Sequence, residues 1–295
     1  MNLGLGLRLG QSGGGSNRKV GGLLTETKAI IALIASEGQP PLSIATITAI
    51  NTAIKEMRQT ILPNGKSIWQ SLDGFWWFPK MGSSTAALIN WVNPISGGIA
   101  LLIESSGTVL PYNNNTGFTG DKSRGINTRI NLSTAANYKK DSACLGVWNN
   151  STDGTQTVIG SRTAFLNKMS YIELKSDAPN DNGVLRPYIN MSENKVTANT
   201  YFSDLGLFCC DRPNSSTVNL YLNGMLQETL TTTSKDIHDG LVAMFGVNNG
   251  GTGDIMTFSR ATNRNLFGGF ISASMEEKQA EFSAIIQKLK LGTVG

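Results

Sequence analysis

The sequence predicts a mainly β protein, an antiparallel β-sandwich preceded by an extended arm and a short helical segment and closed by a C-terminal helix. Three observations predict it. Beyond Gly98, short apolar runs recur between clusters of Asn, Gly, Asp and Ser, the pattern of many short strands joined by turns. Asn223-Gly224 stands between two alternating segments, and a type I′ hairpin turn needs that pair because both central positions take positive φ. Only 16% of the residues are charged, with polar uncharged residues and glycine filling the gap, a profile of turn-rich β proteins.

Residues 1–20 read as an arm. Leu3, Leu5, Leu7 and Leu9 take every second position with Gly4 and Gly6 among them. A strand of this kind carries one leucine face and one nearly bare face. Gly10 and the run Ser12-Gly13-Gly14-Gly15-Ser16 then have linker composition. The leucines need a sheet edge on another chain to pair with, so they are the expected anchor into a larger assembly. A plain unstructured terminus is the alternative.

Residues 21–66 read as a helical neck. Leu24 to Glu37 clusters Ile30, Ile31, Leu33 and Ile34 at helical spacing and is stopped by Gly38 and Pro40-Pro41. The next helix opens at Ser43, a favoured N-cap, and runs to about Ile61, with Pro63-Asn64-Gly65 closing it. Inside it Ile47, Ile50, Ile54, Met57 and Ile61 repeat with spacing three, four, three, four, a seam of period 3.5. About two heptads are too few to define a coiled coil, and a helix packed on its own domain explains them equally. Together with the arm, the seam favours a homo-oligomer, three chains before two.

Residues 67–295 read as the sandwich. Ile68 to Phe78 is dense in aromatics and Trp91 follows, which predicts a core cluster. Strands are expected at Ile99–Glu104, Thr128–Leu132, Ala143–Trp148, Thr157–Ser161, Met169–Lys175, Arg186–Met191, Gly206–Cys210, Val218–Leu222, Met225–Thr231, Leu241–Val247 and Phe267–Ser272. Ser274 and Glu277 are spaced as a capping box before the stripe Phe282, Ile285, Ile286 and Leu289, with Gly292 as the expected stop.

Little in the chain points to chemistry. The net charge of +4 is spread over scattered Lys and Arg, without the basic stripe of a nucleic-acid binder. Cys144, Cys209 and Cys210 are an odd set lacking Cys-x-x-Cys, so buried free thiols are expected, not a disulfide framework or metal site. Glu173 stands alone on its strand and Glu276, Glu277 and Glu281 belong to the last helix, so no paired carboxylates suit glycoside hydrolysis. His238 falls in a turn, expected at the surface, and no Gly-x-Ser-x-Gly elbow accompanies it. Asp177 to Gly183 has the oxygen chemistry of a calcium loop and equally of an ordinary turn, so no cofactor or metal is expected. Sugar recognition would draw on Tyr112, Asn113 and Asn114 or on Trp148, Asn149 and Asn150, which combine an aromatic with amides; each group taken singly reads more readily as an ordinary solvated loop of a sandwich.

Val218 to Gln227 resembles the hairpin of concanavalin A-like (laminin G-like) β-sandwiches, in which an alternating strand ending Leu-Tyr is followed by Asn/Asp-Gly. Ala243 to Asn248, the closing Phe267-Gly268-Gly269-Phe270-Ile271-Ser272 and the helix ending Leu289 to Gly292 are similar to later elements of that group. Upstream, Trp69 to Phe78, Asn90 to Pro94, Gly117 to Asp121 and the leucine/glycine start resemble phage structural proteins ending in such a domain. The resemblance covers roughly 67–295 and implies a jelly-roll, lectin-like sandwich.

No secretory signal pattern is present, and Leu23 to Ala35 is too short and charged to span a membrane. A β-rich chain without leader or disulfides suits manufacture in a host cytoplasm and release by lysis. The expected function is therefore that of a non-enzymatic virion accessory protein, a head fibre, decoration, collar or tail-fibre component, whose partners are other virion proteins. A glycan-binding receptor-adsorption module is the chief alternative, and a polysaccharide hydrolase the more remote one.

Overall fold

A computed structural model describes residues 22–103, 109–121, 123–151, 156–163, 168–174, 185–191, 205–253, 256–259 and 262–294. The leucine arm (Leu3, Leu5, Leu7 and Leu9) and the 177–183 segment lie outside them. In chain order the elements are α1 (Thr25–Ser36), α2 (Ile44–Gln59), α3 (Ile68–Ser71), β1 (Leu72–Trp77), α4 (Ser84–Ala87), β2 (Leu101–Ile103), β3 (Tyr112–Asn113), β4 (Gly117–Thr119), β5 (Gly125–Asn131) and β6 (Ala143–Asn150). There follow β7 (Gln156–Arg162), β8 (Met169–Leu174), β9 (Leu185–Met191), β10 (Leu205–Asn214), β11 (Thr217–Leu222), β12 (Met225–Thr231), β13 (Leu241–Met244), β14 (Val247–Asn249), β15 (Phe258–Ser259), β16 (Asn265–Ser272) and α5 (Gln279–Val294).

The strands form two sheets, and the sandwich expected from the sequence is present. Sheet I runs β12-β11-β10-β6-β16-β4-β3, with β1 also paired to β16. Sheet II runs β15-β14-β7-β13-β5-β2, with β8 and β9 added beyond β7. Pairing is antiparallel except between β14 and β7. The hairpin of β11 and β12 closes at Asn223 and Gly224 with φ of 52° and 79°, as Asn-Gly predicts. The expected strand Leu241–Val247 is broken by Phe245, at φ 65°, into β13 and β14. Its ring turns inward onto Phe78 and Phe118, with centroids 6.4 and 6.5 Å away, and this aromatic group joins the two sheets.

The other face of sheet I is covered by helices. Phe75 and Phe270 are register partners on β1 and β16, with Gly146 of β6 opposite Phe270. Phe282 of α5 meets both rings edge-on, at 6.5 and 4.8 Å. Gly146 makes room for this stack, since a Cβ there would come within 2.0 Å of the Phe270 ring. α2 packs beside α5, and α1 beside α2.

Three sequence expectations need correction here. The neck of residues 21–66 is no separate unit, for Ile30, Leu33, Ile34, Ile50, Ile54 and Met57 share one apolar core with the sandwich. The seam is accordingly spent inside the protomer. Ile50, Ile54 and Met57 are fully buried and Ile47 partly so, whereas Ile61 lies 50% exposed beyond the end of α2. Finally, α5 runs through Gly292, which is a contact and not a stop: its missing side chain admits Ala49 of α2.

The entry to α5 also differs from the capping box read at Ser274 and Glu277. Asp211 of β10 is fully buried and accepts from Ser274 Oγ (2.9 Å), Met275 N (3.2 Å) and Glu276 N (3.0 Å). A carboxylate from another strand thus serves the donors that a local cap would have met. Burial pushes the Asp211 carboxyl up to about 7 against those hydrogen bonds. Truncating Ile54 to Ala should cost about 2–5 kcal/mol in chemical denaturation, with α-helical and sheet signals lost together. Early loss of the helical signal alone would show that the helices form a separate unit.

Candidate functional site

The residues nominated for sugar recognition are used by the fold in different ways. Trp148 is only 5% exposed and sits beneath α5, edge-on to Trp77 at 6.3 Å with Lys290 Nζ 5.3 Å above its ring. Asn149 is buried and its Nδ2 donates to Ser151 O at 2.7 Å. Asn150 donates to Asn265 Oδ1 at 3.2 Å. Trp148 therefore belongs to the core and cannot serve as a stacking platform, because it is buried with Trp77 and Lys290 against its ring.

Tyr112, Asn113 and Asn114 lie at the β3 edge of sheet I, in the β3–β4 hairpin. Tyr112 is half-buried, its ring 4.9 Å from Phe118 and its hydroxyl donating to Phe78 O at 3.0 Å. Burial pushes that hydroxyl up to about 12. Of the exposed asparagines, Asn113 closes its own turn, its Oδ1 accepting from Asn115 N at 2.8 Å, while Asn114 Oδ1 ties the hairpin to the segment after β1 by accepting from Gly82 N at 2.9 Å. Tyr112 and Asn149 share one row of sheet I, through Phe118 and Leu266, but two strands stand between them. The two nominated groups do not form one site.

His238 corrects another expectation. It is 2% exposed, and its Nδ1 lies 2.7 Å from Ser161 Oγ, itself buried on β7. The signal for this pair is the alternation of β7, which puts Ser161 on the same face as Ile159 and so demands a buried polar partner. The arrangement is unlike a nucleophilic triad. Neither member is reached by solvent, and the adjacent Asp239 turns outward to accept from Asn131 Nδ2 and Ser133 Oγ at 2.7 and 2.8 Å. Burial lowers the His238 pKa, with Lys168 adding to the effect and Asp239 opposing it.

The three cysteines are free and buried, with burial pushing each thiol up. Among the described residues no group of three or more His, Cys, Asp or Glu is placed to hold a metal ion. No helix among them is long and apolar enough to cross a membrane. A solvent-facing groove of about 340 Å³ runs between α2 and α5, lined by Ala45, Ala49, Ala53, Ile285, Leu289 and Gly292. Its ionic groups are Glu56 and Lys288, which pair at 2.9 Å. Thr48 and Thr52 are the remaining polar side chains of its otherwise apolar lining.

No family model matches the chain, and no curated protein matches it. Among solved structures, domain 4 of AbnA, a GH43 extracellular arabinanase from Geobacillus stearothermophilus in complex with arabinotriose, is 13% identical. The alignment covers 72% of this chain and 98% of that one, with a TM-score of 0.44. The receptor-binding domain of botulinum neurotoxin D is 13% identical over 75% of this chain and 54% of that chain, with a TM-score of 0.45. A Trypanosoma rangeli sialidase mutant displaying trans-sialidase activity is 11% identical over 83% and 38%, with a TM-score of 0.44. The chain thus spans about half of the neurotoxin chain and less of the sialidase. Likeness at this level says nothing about activity.

Two measurements check the site description. Trp148→Ala should lower stability by about 3–5 kcal/mol, seen as a large fall in melting temperature; a near-neutral effect would return Trp148 to the surface. For His238 the folded pKa lies below the unfolded value near 6.5, so the folded state binds fewer protons and stability falls as pH drops from 6.5 toward the folded pKa. Asp211 has the opposite slope, losing stability as pH rises from 3.8 to about 7. The urea midpoint of wild type minus that of His238→Asn isolates the histidine, because Asp211 is common to both. That difference should shrink between pH 7 and pH 5; a flat difference would show that the buried imidazole does not titrate.

Proposed function

We propose that this protein is a non-enzymatic accessory structural component of a virion, tethered through the Leu3, Leu5, Leu7 and Leu9 arm and displaying a stiff helix-backed sandwich. The observation that supports this is how the nominated residues are used. The tryptophans, Ile50, Ile54 and Met57 of the seam and the single histidine are committed to one continuous core or to buried hydrogen bonds, so these residues serve the packing of the body. Ahead of α1 the sequence supplies a glycine/serine linker and four alternating leucines, the composition of a tether. The site on the particle is left open between head fibre, decoration, collar and tail-fibre positions.

The glycan-binding alternative keeps one specific observation in its favour. The hairpin at Tyr112 presents a half-exposed aromatic edge beside the exposed Asn113 and Asn114. Sugars stack their C–H faces on such rings and take amide hydrogen bonds at the rim.

Deleting residues 1–16 should leave melting and circular dichroism unchanged while abolishing incorporation into virions. Normal occupancy of the truncated protein would sink the tether. If the hairpin binds glycan, Tyr112→Ala should weaken retention on a host-glycan array by about tenfold or more, an energy on the order of 1.4 kcal/mol. Equal binding by wild type and variant excludes this hairpin.

A further inference from the structure

Asn-Gly pairs occur at Asn64-Gly65, Asn223-Gly224 and Asn249-Gly250 within the described residues, and at Asn182-Gly183 outside them. Their surroundings differ in a way that bears on covalent chemistry. Asn223 sits in the β11–β12 turn with its Oδ1 accepting from Leu207 N at 3.0 Å, and Gly224 is packed against Ala280 and Ser283 of α5. Asn249 Oδ1 accepts from Arg162 Nε at 3.0 Å, and Gly250 N donates to Arg162 O at 2.8 Å. Both carboxamides are thus pulled toward another strand and away from the following peptide.

Asn64 is different. It lies exposed in the turn joining α2 to α3, and no atom approaches within 4 Å of where a Gly65 side chain would be. Its Oδ1 accepts from Lys66 N at 2.9 Å, which folds the side chain over its own downstream backbone. The reacting atoms of the pair are the Asn64 carboxamide carbon and the Gly65 nitrogen. The restraint on that nitrogen is one exposed turn hydrogen bond, Gly65 N to Leu62 O at 2.9 Å.

We infer that Asn64 is a site of spontaneous deamidation in the folded protein. The Gly65 backbone nitrogen attacks Asn64 Cγ, the bond from Cγ to Nδ2 breaks, and ammonia leaves carrying the amide proton. A cyclic imide remains. Water then adds to either imide carbonyl and that carbon's bond to the ring nitrogen breaks, the nitrogen taking up the proton, giving aspartate or isoaspartate at position 64, with water as the only co-reactant and no redox change. The product places a negative charge two residues from Lys66, whose Nζ reaches Asn137 Oδ1 at 3.0 Å. The isoaspartate form also lengthens the backbone inside the turn pinned by Leu62 N to Lys66 O at 2.8 Å. This turn connects the helical layer to the sandwich, so ageing would alter the protein's charge at that junction.

The test is peptide mapping of the full-length native protein after incubation at mildly alkaline pH, with a parallel sample in urea. Trypsin releases residues 59–66 as one peptide. In native protein this peptide should gain the amide-to-acid mass several-fold faster than those holding Asn223 and Asn249, and isoaspartyl methyltransferase should label it. In urea the three pairs should convert at comparable rates, and Asn64→Gln should remove the native signal. Retention of the Asn64 amide while Asn223 or Asn249 converts, or equal rates at all three in native protein, would overturn the inference.

Discussion

Phe282 lies where two layers of the molecule would otherwise part. Sheet I has to bury both faces, because β1, β6 and β16 carry large apolar side chains on each side: Trp76 faces opposite to Phe75 and Trp77, and all three are buried. One face meets sheet II through Phe78, Phe118 and Phe245. The other needs a cover of comparable apolar area, and Phe282, edge-on to both Phe75 and Phe270, provides the central contact of that cover. The rest of the helical layer follows from it. α5 must dock for sheet I to be dry, and α2 completes the layer by packing beside α5.

That arrangement explains the placement of the buried polar groups. Docking α5 requires the chain to turn sharply after β16, which leaves Ser274, Met275 and Glu276 with donors to satisfy, and Glu276 takes φ 47° in doing so. Asp211 meets those donors from β10 at the cost of burying a carboxyl among thiols. A second polar group fills the inner space near sheet II. Tyr138 and Ser170 both donate to Asn190 Oδ1, at 3.1 and 2.9 Å, while Arg212 Nε donates to Ile189 O at 2.7 Å. Networks of this kind specify one register, since a slipped strand would strand several polar atoms in a low-dielectric interior.

The loop asparagines show the same economy. A run such as Tyr112-Asn113-Asn114-Asn115 has the composition of a ligand-binding loop, yet two of its amide oxygens are already taken by backbone donors, one in its own turn and one at Gly82 in the segment after β1. Composition alone does not distinguish an amide offered to a ligand from one that closes its own loop, because the same short side chain performs both tasks.

By itself the sequence determined what depends on neighbours along the chain. Period-two alternation gave the strands, Ser43 capped α2 through Thr46 N at 3.1 Å, Asn223-Gly224 formed the expected hairpin, and the aromatic run from Trp69 became core. Tertiary structure alone decided which surface each face met. Ile50, Ile54 and Met57 form an apolar stripe whose periodicity is identical whether it faces a second copy or its own α5, and α5 lies more than two hundred residues away in the chain. Trp148, His238 and Gly292 depart from their local patterns for the same reason: Trp148 is covered by Lys290 of α5, His238 finds Ser161 on β7, and Gly292 admits Ala49 of α2. Each outcome rests on a partner distant in sequence, and local propensity and patterning carry no record of which distant segment will arrive.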